Sequence, residues 1–381
     1  MKFKKNVLIT LLTLCFNGTI DEIPGISVDN FEKLDKSAYF LSHIHSDHTV
    51  GLLNTVKYGD NGNATFAEYL SKNDVYVYMS EVTAIIFEYE FGDLAAFVKP
   101  LGMGKHQVIS LPATENYEET HMDVTLIPAG HCLGSSMILF QNNRKTVLYT
   151  GDFRYTQHDV KKIRDLHNPN DRTEPIHIDT MYVDTTFITL DKTDLPKRSD
   201  SINYLLREVN SWLNKGDEYK VALDTPAKYG YECVFNEIYD KLGRKVYVTD
   251  AKWRLYSKMF AYIPGVTNDK NLTDIHNCSF YSKNHSKCEI PNVNKYKFLH
   301  IRLSAMKWVD YNIEFIPIDK QTENNLSVCF STHCSRSELV YFVNHFSPKN
   351  VVGFPNEFKF CKQPKKNVDV VLSPVKRRKM K

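Results

Sequence analysis

Four residues within six positions, His43, His45, Asp47 and His48, form a His-x-His-x-Asp-His run. Neutral imidazole and carboxylate are the usual ligands of zinc and of its borderline-hard competitors. His43 and His45 can point one way while Asp47 and His48 serve an adjacent position. A lone histidine is ordinarily a surface or core residue, but three with an aspartate on one short loop need a cation to explain them. Further along, Gly130-His131 and Gly151-Asp152 each follow an apolar run. Taken singly they read equally well as turn residues; taken with the first run they complete a ligand set. An aspartate shared by two cations, each with imidazole ligands, suits hydrolysis: a metal brings the pKa of bound water toward about 7, and a pair about 3.5–4 Å apart polarises a phosphoryl oxygen and receives the leaving group.

These residues need elements that deliver them to one place. Ala38–Leu41 is a short apolar run that opens into the polar loop 42–48 and reads as a buried strand. Val75–Met79 is a second strand, with Ser80 as the cap of a helix over Thr83–Glu90. Met122–Ile127 leads into His131; Ser136–Phe140 and Thr146–Tyr149 read as a hairpin ending at Asp152; Thr180–Val183 ends at Asp184; Ser327–Phe330 ends in a loop carrying His333. The repeated pattern is a strand with His or Asp at its C-terminal end, which gathers polar side chains on one rim of a sheet. Between them the texture changes. Ser201–Leu213 and Glu232–Leu242 read as helices, Lys220–Leu223 and Lys245–Val248 as strands, which suggests a separate α/β module.

A length of 381 residues suits two domains, or one inserted in another, and 42% hydrophobic with 24% charged residues is globular composition. A net charge of +3 excludes a global positive field, so any nucleic-acid surface must be local. Basic residues do cluster at Lys362–Lys366 and Lys376–Lys381, readable as a nuclear-import signal or a solvated terminus. Eight scattered cysteines form no disulfide framework, and reduced thiols are the default. Lys2–Lys5 ahead of the apolar run Asn6–Phe16 has the basic and apolar regions of a secretory signal, too short to span a bilayer; the competing reading is an extension before a domain starting near Gly18.

The stretches Tyr39–His48, Pro128–Ser135, Val147–Arg154 and Tyr182–Phe187 together resemble the metallo-β-lactamase/β-CASP nucleases, in their DNA cross-link repair and end-joining branch. The similarity runs from about Pro24 to about Pro355. It implies an α/β fold, a metallo-β-lactamase αββα sandwich with an inserted α/β β-CASP domain: residues 1–17 an extension, 18–189 the first part of the sandwich, 190–325 the β-CASP domain, 326–365 the completion and 366–381 a basic tail. By the same resemblance His43, His45, His131 and Asp152 hold a first zinc. Asp47, His48, Asp152 and His333 form a second position, for zinc, Mg2+ or Mn2+. Asp47, Asp184 and His333 are implied in catalysis, with Asp29 in support. Tyr229–Glu232 matches a stretch near the substrate phosphate, with Lys228 beside it in a different register from the family's. The segment Lys349–Gly353 lacks the histidine of RNA-processing relatives and so resembles the DNA-acting branch.

Two more groups are expected to bind. His276, Cys278, His285 and Cys288 are the thiolate and imidazole set of a structural zinc, and three of them match a finger of the resembled branch, where Tyr247 stands at the usual upstream histidine. Ser331 and Ser335, at a helix start, could donate to a phosphate or simply cap the helix. The expected function is metal-dependent hydrolysis of DNA phosphodiesters in non-homologous end joining, by hairpin and overhang endonuclease or 5′-exonuclease action. DNA hairpins, overhangs and single-strand/double-strand junctions are the expected partners. The DNA-dependent protein kinase and an end-joining ligase are implied too, though relatives meet them through a long tail that is short or missing here. The expected location is the nucleus, or outside the cell if residues 1–17 are a signal; no membrane partner is expected. The competing readings are an RNA-processing nuclease, a thioester or lactone hydrolase on the same fold, and a non-catalytic end-joining scaffold.

Overall fold

The computed structural model describes residues 16–57, 63–142, 144–189, 194–278, 295–308 and 316–359. Among these, the chain builds two facing sheets and a third, separate one. The first sheet is parallel, in the order β1 (Ile26–Val28), β2 (Ala38–Phe40), β5 (Val77–Ser80), β6 (Val98–Leu101). A short hairpin, β3 (Thr55–Lys57) with β4 (Asn63–Thr65), lies between. The second sheet is mixed. It runs β19 (Asn350–Phe354), β11 (Thr180–Asp184), β10 (Thr146–Tyr149), β9 (Ser136–Gln141), β8 (Thr120–Pro128), β7 (His106–Leu111).

The period-2 pattern decides which face goes where. Ala38 and Phe40 enter the core between the two sheets, while Tyr39 points to the opposite side. Ile138 and Phe140 of β9 enter the same central core and Met137 and Leu139 leave it; Val147, Tyr149 and Tyr182 enter, and Leu148, Met181 and Val183 leave. Each outward face then needs a helix. Helices α1 (Phe66–Asn73) and α2 (Glu81–Glu90) contribute Phe66, Leu70, Ile86 and Phe87 to the layer on the first sheet. After a single turn, α3 (Gln157–Val160), the later helix α7 (Arg336–Phe346) covers the second sheet with Leu339, Phe342, Val343 and Phe346. The result is the expected αββα sandwich.

Helix α2 starts where expected: the Ser80 hydroxyl accepts from Thr83 N at 3.1 Å. Of the other expected strands and helices, Thr146–Tyr149 and Glu232–Leu242 keep both ends and the rest shift by up to three residues. The intervening module contains α4 (Arg198–Leu213), β12 (Tyr219–Asp224), α5 (Glu232–Leu242), β13 (Val246–Tyr247), α6 (Asp250–Tyr256), β14 (Val266–Thr267), β15 (Ile275–His276), β16 (Lys297–Leu303), β17 (Ile318–Thr322) and β18 (Asn325–Val328). Its sheet runs β14-β13-β15-β12-β16-β18-β17 and is parallel but for β17. One boundary needs correction. The expected division puts β18 in the completion of the sandwich, yet it pairs with β16 and β17. An isolated apolar strand carries no mark of which sheet it joins; here the chain returns to the sandwich only past residue 328.

Candidate metal centre

The two modules meet over the C-terminal ends of strands. β8 and β10 both run antiparallel to β9, and β11 runs parallel to β10, so the three end on one edge. They deliver His131, Asp152 and Asp184. β2 delivers loop 41–48 from the facing sheet, and β18 delivers His333 from the second module. The cavity they surround has a volume of about 310 Å³ and is lined by His45, Asp47, His48, His131, Asp152 and His333, with Ala227, Tyr229 and Tyr231 across from them.

His45 Nδ1 sits 3.1 Å from His43 Nε2 and 3.0 Å from His131 Nε2. Asp152 Oδ2 lies 3.6 Å from His43 Nε2 and 3.5 Å from His131 Nε2. The other oxygen, Oδ1, lies 3.4 Å from His48 Nε2, which is 3.8 Å from Asp47 Oδ2. His333 Nε2 approaches Asp152 Oδ2 at 3.8 Å. Ligand atoms of His43, His45, His131 and Asp152 thus form one group within 4.8 Å; Asp47, His48 and Asp152 form another, and Asp152, Asp184 and His333 a third. Asp152 belongs to all three.

The outer nitrogens of the rings decide what the inner ones can be. His45 Nε2 faces Tyr229 O at 3.3 Å and His131 Nδ1 faces Thr332 O at 3.1 Å. A carbonyl only accepts, so both outer nitrogens carry the proton. His43 Nδ1 is 3.0 Å from Ser42 Oγ, whose own proton goes to Asp29 Oδ2 at 2.5 Å, so His43 donates there as well. His48 Nδ1 donates to Asp29 Oδ2 and His333 Nδ1 to Asp184 Oδ2, each at 2.8 Å. Five outer bonds therefore turn the other nitrogen of each ring inward, as a lone pair on every ring that is neutral. Three of those, on His43, His45 and His131, stand 3.0–3.1 Å apart in sequence with no proton to share. Such an arrangement is repulsive without a cation and is the usual way ligand imidazoles are oriented around one.

The electrostatics agree. Burial holds His43 and His131 well below the usual imidazole range, which keeps both neutral. At His48 burial acts the same way, but the carboxylates of Asp152 and Asp29 outweigh it and push the ring well up. Likewise burial at His333 is outweighed by Asp184 and Asp152, and its pKa rises to about 9. Asp152 is kept well below the usual carboxylate range: burial opposes this, but His48, His333 and His131 prevail. The anionic demand at His48 and His333 is thus met by a proton or by a divalent cation in its place.

Gly151 shows how tightly the rim is built. Its φ is +50°, and an added Cβ would lie 2.6 Å from Ser42 Oγ, the hydroxyl that orients His43. Gly151→Ala is expected to weaken metal retention and activity by about 10–100-fold, as disturbed outer-shell partners do. Competition with a chelator measures it, and unchanged retention would count against the tightness argued here.

The remaining expected residues fall in three places. Asp184 is buried, accepts from Thr186 N and Oγ1, and acts on His333. Lys228 pairs with Glu90 Oε1 at 2.5 Å, and the hydroxyl of its neighbour Tyr229 donates to the same oxygen at 2.6 Å. Ser331 Oγ donates to His333 O at 2.8 Å, and Ser335 is the N-cap of α7 in a capping box with Glu338. Both serine hydroxyls serve the loop and helix rather than the cavity. His276 is buried with Nε2 on Thr273 O at 3.2 Å, and its Nδ1 has no partner among the described residues. Cys278 departs from the expectation of a free thiol, because it is disulfide-bonded. His285 and Cys288 lie outside the described residues. Sequence reasoning had no access to the carbonyls of Tyr229 and Thr332, since a backbone acceptor carries no residue signature.

Comparison with known proteins shows what the chain resembles. Residues 262–356 match the family described as DNA repair metallo-beta-lactamase. Protein artemis of Homo sapiens is 33% identical over 356 residues, covering 90% of this chain and 49% of that protein. 5′ exonuclease Apollo of Danio rerio is 25% identical over 370 residues, covering 94% of this chain and 56% of the relative. The chain spans about half the length of the curated artemis relatives it matches. A crystal structure of a protein of unknown function from Enterococcus faecalis V583 superposes with a TM-score of 0.51 at 16% identity, over 84% of this chain and 75% of that one, and bears on the fold alone.

Proposed function

We propose that this chain, which resembles protein artemis and 5′ exonuclease Apollo and carries a DNA repair metallo-beta-lactamase segment, is a metal-dependent nuclease that hydrolyses DNA phosphodiester bonds. The observation that carries the reading is the set of five imidazoles whose outer nitrogens are all tied, turning the other nitrogen of each toward Asp152. His43, His45, His131 and Asp152 would hold one cation, and Asp47, His48, Asp152 and His333 a second. Imidazole and carboxylate fit zinc, with Mg2+ or Mn2+ as candidates for the second position, whose Asp47 is more than half exposed. Bound there, divalent cations supply Lewis acidity toward a phosphate oxygen and lower the pKa of water. The protein's own part is to fix the ligand nitrogens, keep Asp152 ionised and hold His333 through Asp184. The cleft between the modules, walled by Tyr229 and Tyr231, opens beside that centre and is where a strand would lie.

The substrates proposed are DNA hairpins, overhangs and single-strand/double-strand junctions, in end joining and in the nucleus, which the basic stretches at 362–366 and 376–381 suit. The DNA-dependent protein kinase and an end-joining ligase are proposed as partners from the same likeness. A structural zinc at His276, with Cys278 in its reduced form and His285 and Cys288, is part of this reading; the Nδ1 of His276, without a partner among the described residues, supports it.

Purified protein is tested on end-labelled hairpin, single-stranded and duplex DNA and on matching RNA, with metal content measured alongside under reducing conditions. The wild type should cut DNA, and Asp47→Ala should slow cutting by about 10²-fold or more while staying folded. Cleavage confined to RNA would move the substrate class, and metal-replete protein that cuts neither would leave a scaffold as the better account.

A further inference from the structure

We propose that Arg154 is the positioning residue that sets the second cation position, by locking the loop of His333 onto the loop of Asp152. Its guanidinium is buried and meets Glu338 in a two-pronged contact, Nε to Oε2 at 3.1 Å and Nη2 to Oε1 at 3.2 Å. Nη1 donates to Ser331 O at 3.1 Å, two residues before His333, and Nη2 also donates to Pro196 O at 2.9 Å, on the approach to the second module. The backbone beside it does the complementary work. Arg154 N donates to Ala129 O at 2.9 Å, two residues before His131, and Phe153 O accepts from Cys334 N at 3.0 Å, one residue after His333. The segment that begins at Asp152 thus grips His333 from both sides and reaches the His131 loop.

Glu338 makes the grip rigid. The oxygen that takes Arg154 Nε also accepts Ser335 N at 2.8 Å, while Ser335 Oγ accepts Glu338 N, so the first turn of α7 and the guanidinium share one carboxylate. Only a planar fork of five donors serves two carboxylate oxygens and two carbonyls from one position; the three donors of a lysine radiate from a single nitrogen and cannot. His43 and His45 take nothing from this fork, and His131 bonds to the locked loop only at Thr332 O. The first position, whose other ligands are held elsewhere, should therefore suffer less from its loss than the second, which needs His333 itself in register with Asp152.

The inference rests on the two-cation reading of the centre. It is tested by metal content, which does not depend on which nucleic acid is cut. Arg154→Lys and the pair Arg154→Met with Glu338→Leu are compared with wild type. The pair strands no buried charge and keeps volume, so it should fold even where a single change does not. Both are equilibrated with graded chelator and their metal counted per chain. We expect the more weakly held metal to be lost at about 10–100-fold lower chelator and the tighter one to be retained. On DNA the rate constant should fall with KM little changed, and added Mn2+ should recover part of it. Equal loss of both metals, or wild-type retention of both, overturns the proposal, as does a wild type that binds a single cation at the centre. A wild type that binds two metals but cuts no DNA would fail the nuclease reading while leaving this metal test in force.

Discussion

Asp152→Asn should cut DNA at least about 10³-fold more slowly than the wild type, roughly 4 kcal/mol of barrier at 1.36 kcal/mol per decade. The two oxygens of Asp152 face different partners: Oδ2 the rings of His43 and His131 and, further off, His333; Oδ1 the ring of His48. Asparagine keeps the shape but supplies one acceptor oxygen and removes the charge. The amide's N–H₂ side would then point at a ring nitrogen that must itself be a lone pair when a cation is bound. Both positions therefore lose affinity together, which no other single ligand change should do. Folding should survive, because without the Asp152 carboxylate the neighbouring rings can shed their protons. Metal counting and single-turnover cleavage on the same preparation check this. An Asp152→Asn protein that retains two metals and cuts at more than a tenth of the wild-type rate would refute the shared-ligand role.

The ease of finding this site in the sequence follows from how its parts are encoded. His43, His45, Asp47 and His48 are neighbours along the chain, so their shared purpose is visible without a fold. His131, Asp152, Asp184 and His333 lie far apart, but each follows an apolar run; strand ends sharing a rim point to His131 and Asp152, whereas Asp184 and His333 are assigned by the resemblance, and His333 follows a strand of the other module's sheet. The sandwich was legible for a related reason: Ala38 and Phe40 against Tyr39, or Ile138 and Phe140 against Met137 and Leu139, declare two buried faces by alternation. What stayed hidden is set by pairing across space. Asn325–Val328 joins the second module's sheet because β16 and β17 flank it, which its own residues do not announce. Lys228 sits beside the cleft in sequence, yet Glu90 from the end of α2 takes its ammonium. Ser331 and Ser335 have the right chemistry for a phosphate, but a hydroxyl next to free backbone groups is satisfied locally first.

Asp29 carries the second large effect, and it falls on stability and on the metal centre at once. Its carboxylate is buried and accepts four bonds: Ser42 N at 2.7 Å on Oδ1, and Ser42 Oγ, His48 Nδ1 and Tyr149 OH at 2.5, 2.8 and 2.9 Å on Oδ2. Its backbone has φ 54°, a left-handed conformation that Asp and Asn tolerate better than Ala. Asp29→Ala strands four buried donors, each of which costs about 1–3 kcal/mol when unsatisfied, less whatever water can reach. A net loss on the order of 4 kcal/mol is expected, large for one substitution. Asp29→Asn keeps the backbone preference and one acceptor, so it should lose about half as much stability. Its effect on His48 should be nearly as severe, because that ring loses the anion that holds its outer proton and should bind metal about 10–100-fold more weakly. Chemical denaturation of the metal-free chains isolates the first effect, and chelator competition isolates the second. If the Asp29→Asn protein were as stable as wild type and held both metals as tightly, Asp29 would be a tolerated turn residue. If Asp29→Ala lost stability alone, the carboxylate would be joining the two sheets through Ser42 and Tyr149 without steering His48. The shared oxygen Oδ2 argues that these cannot be separated: the bond that fixes His48 and the bonds that tie β10 to the loop after β2 end on one atom.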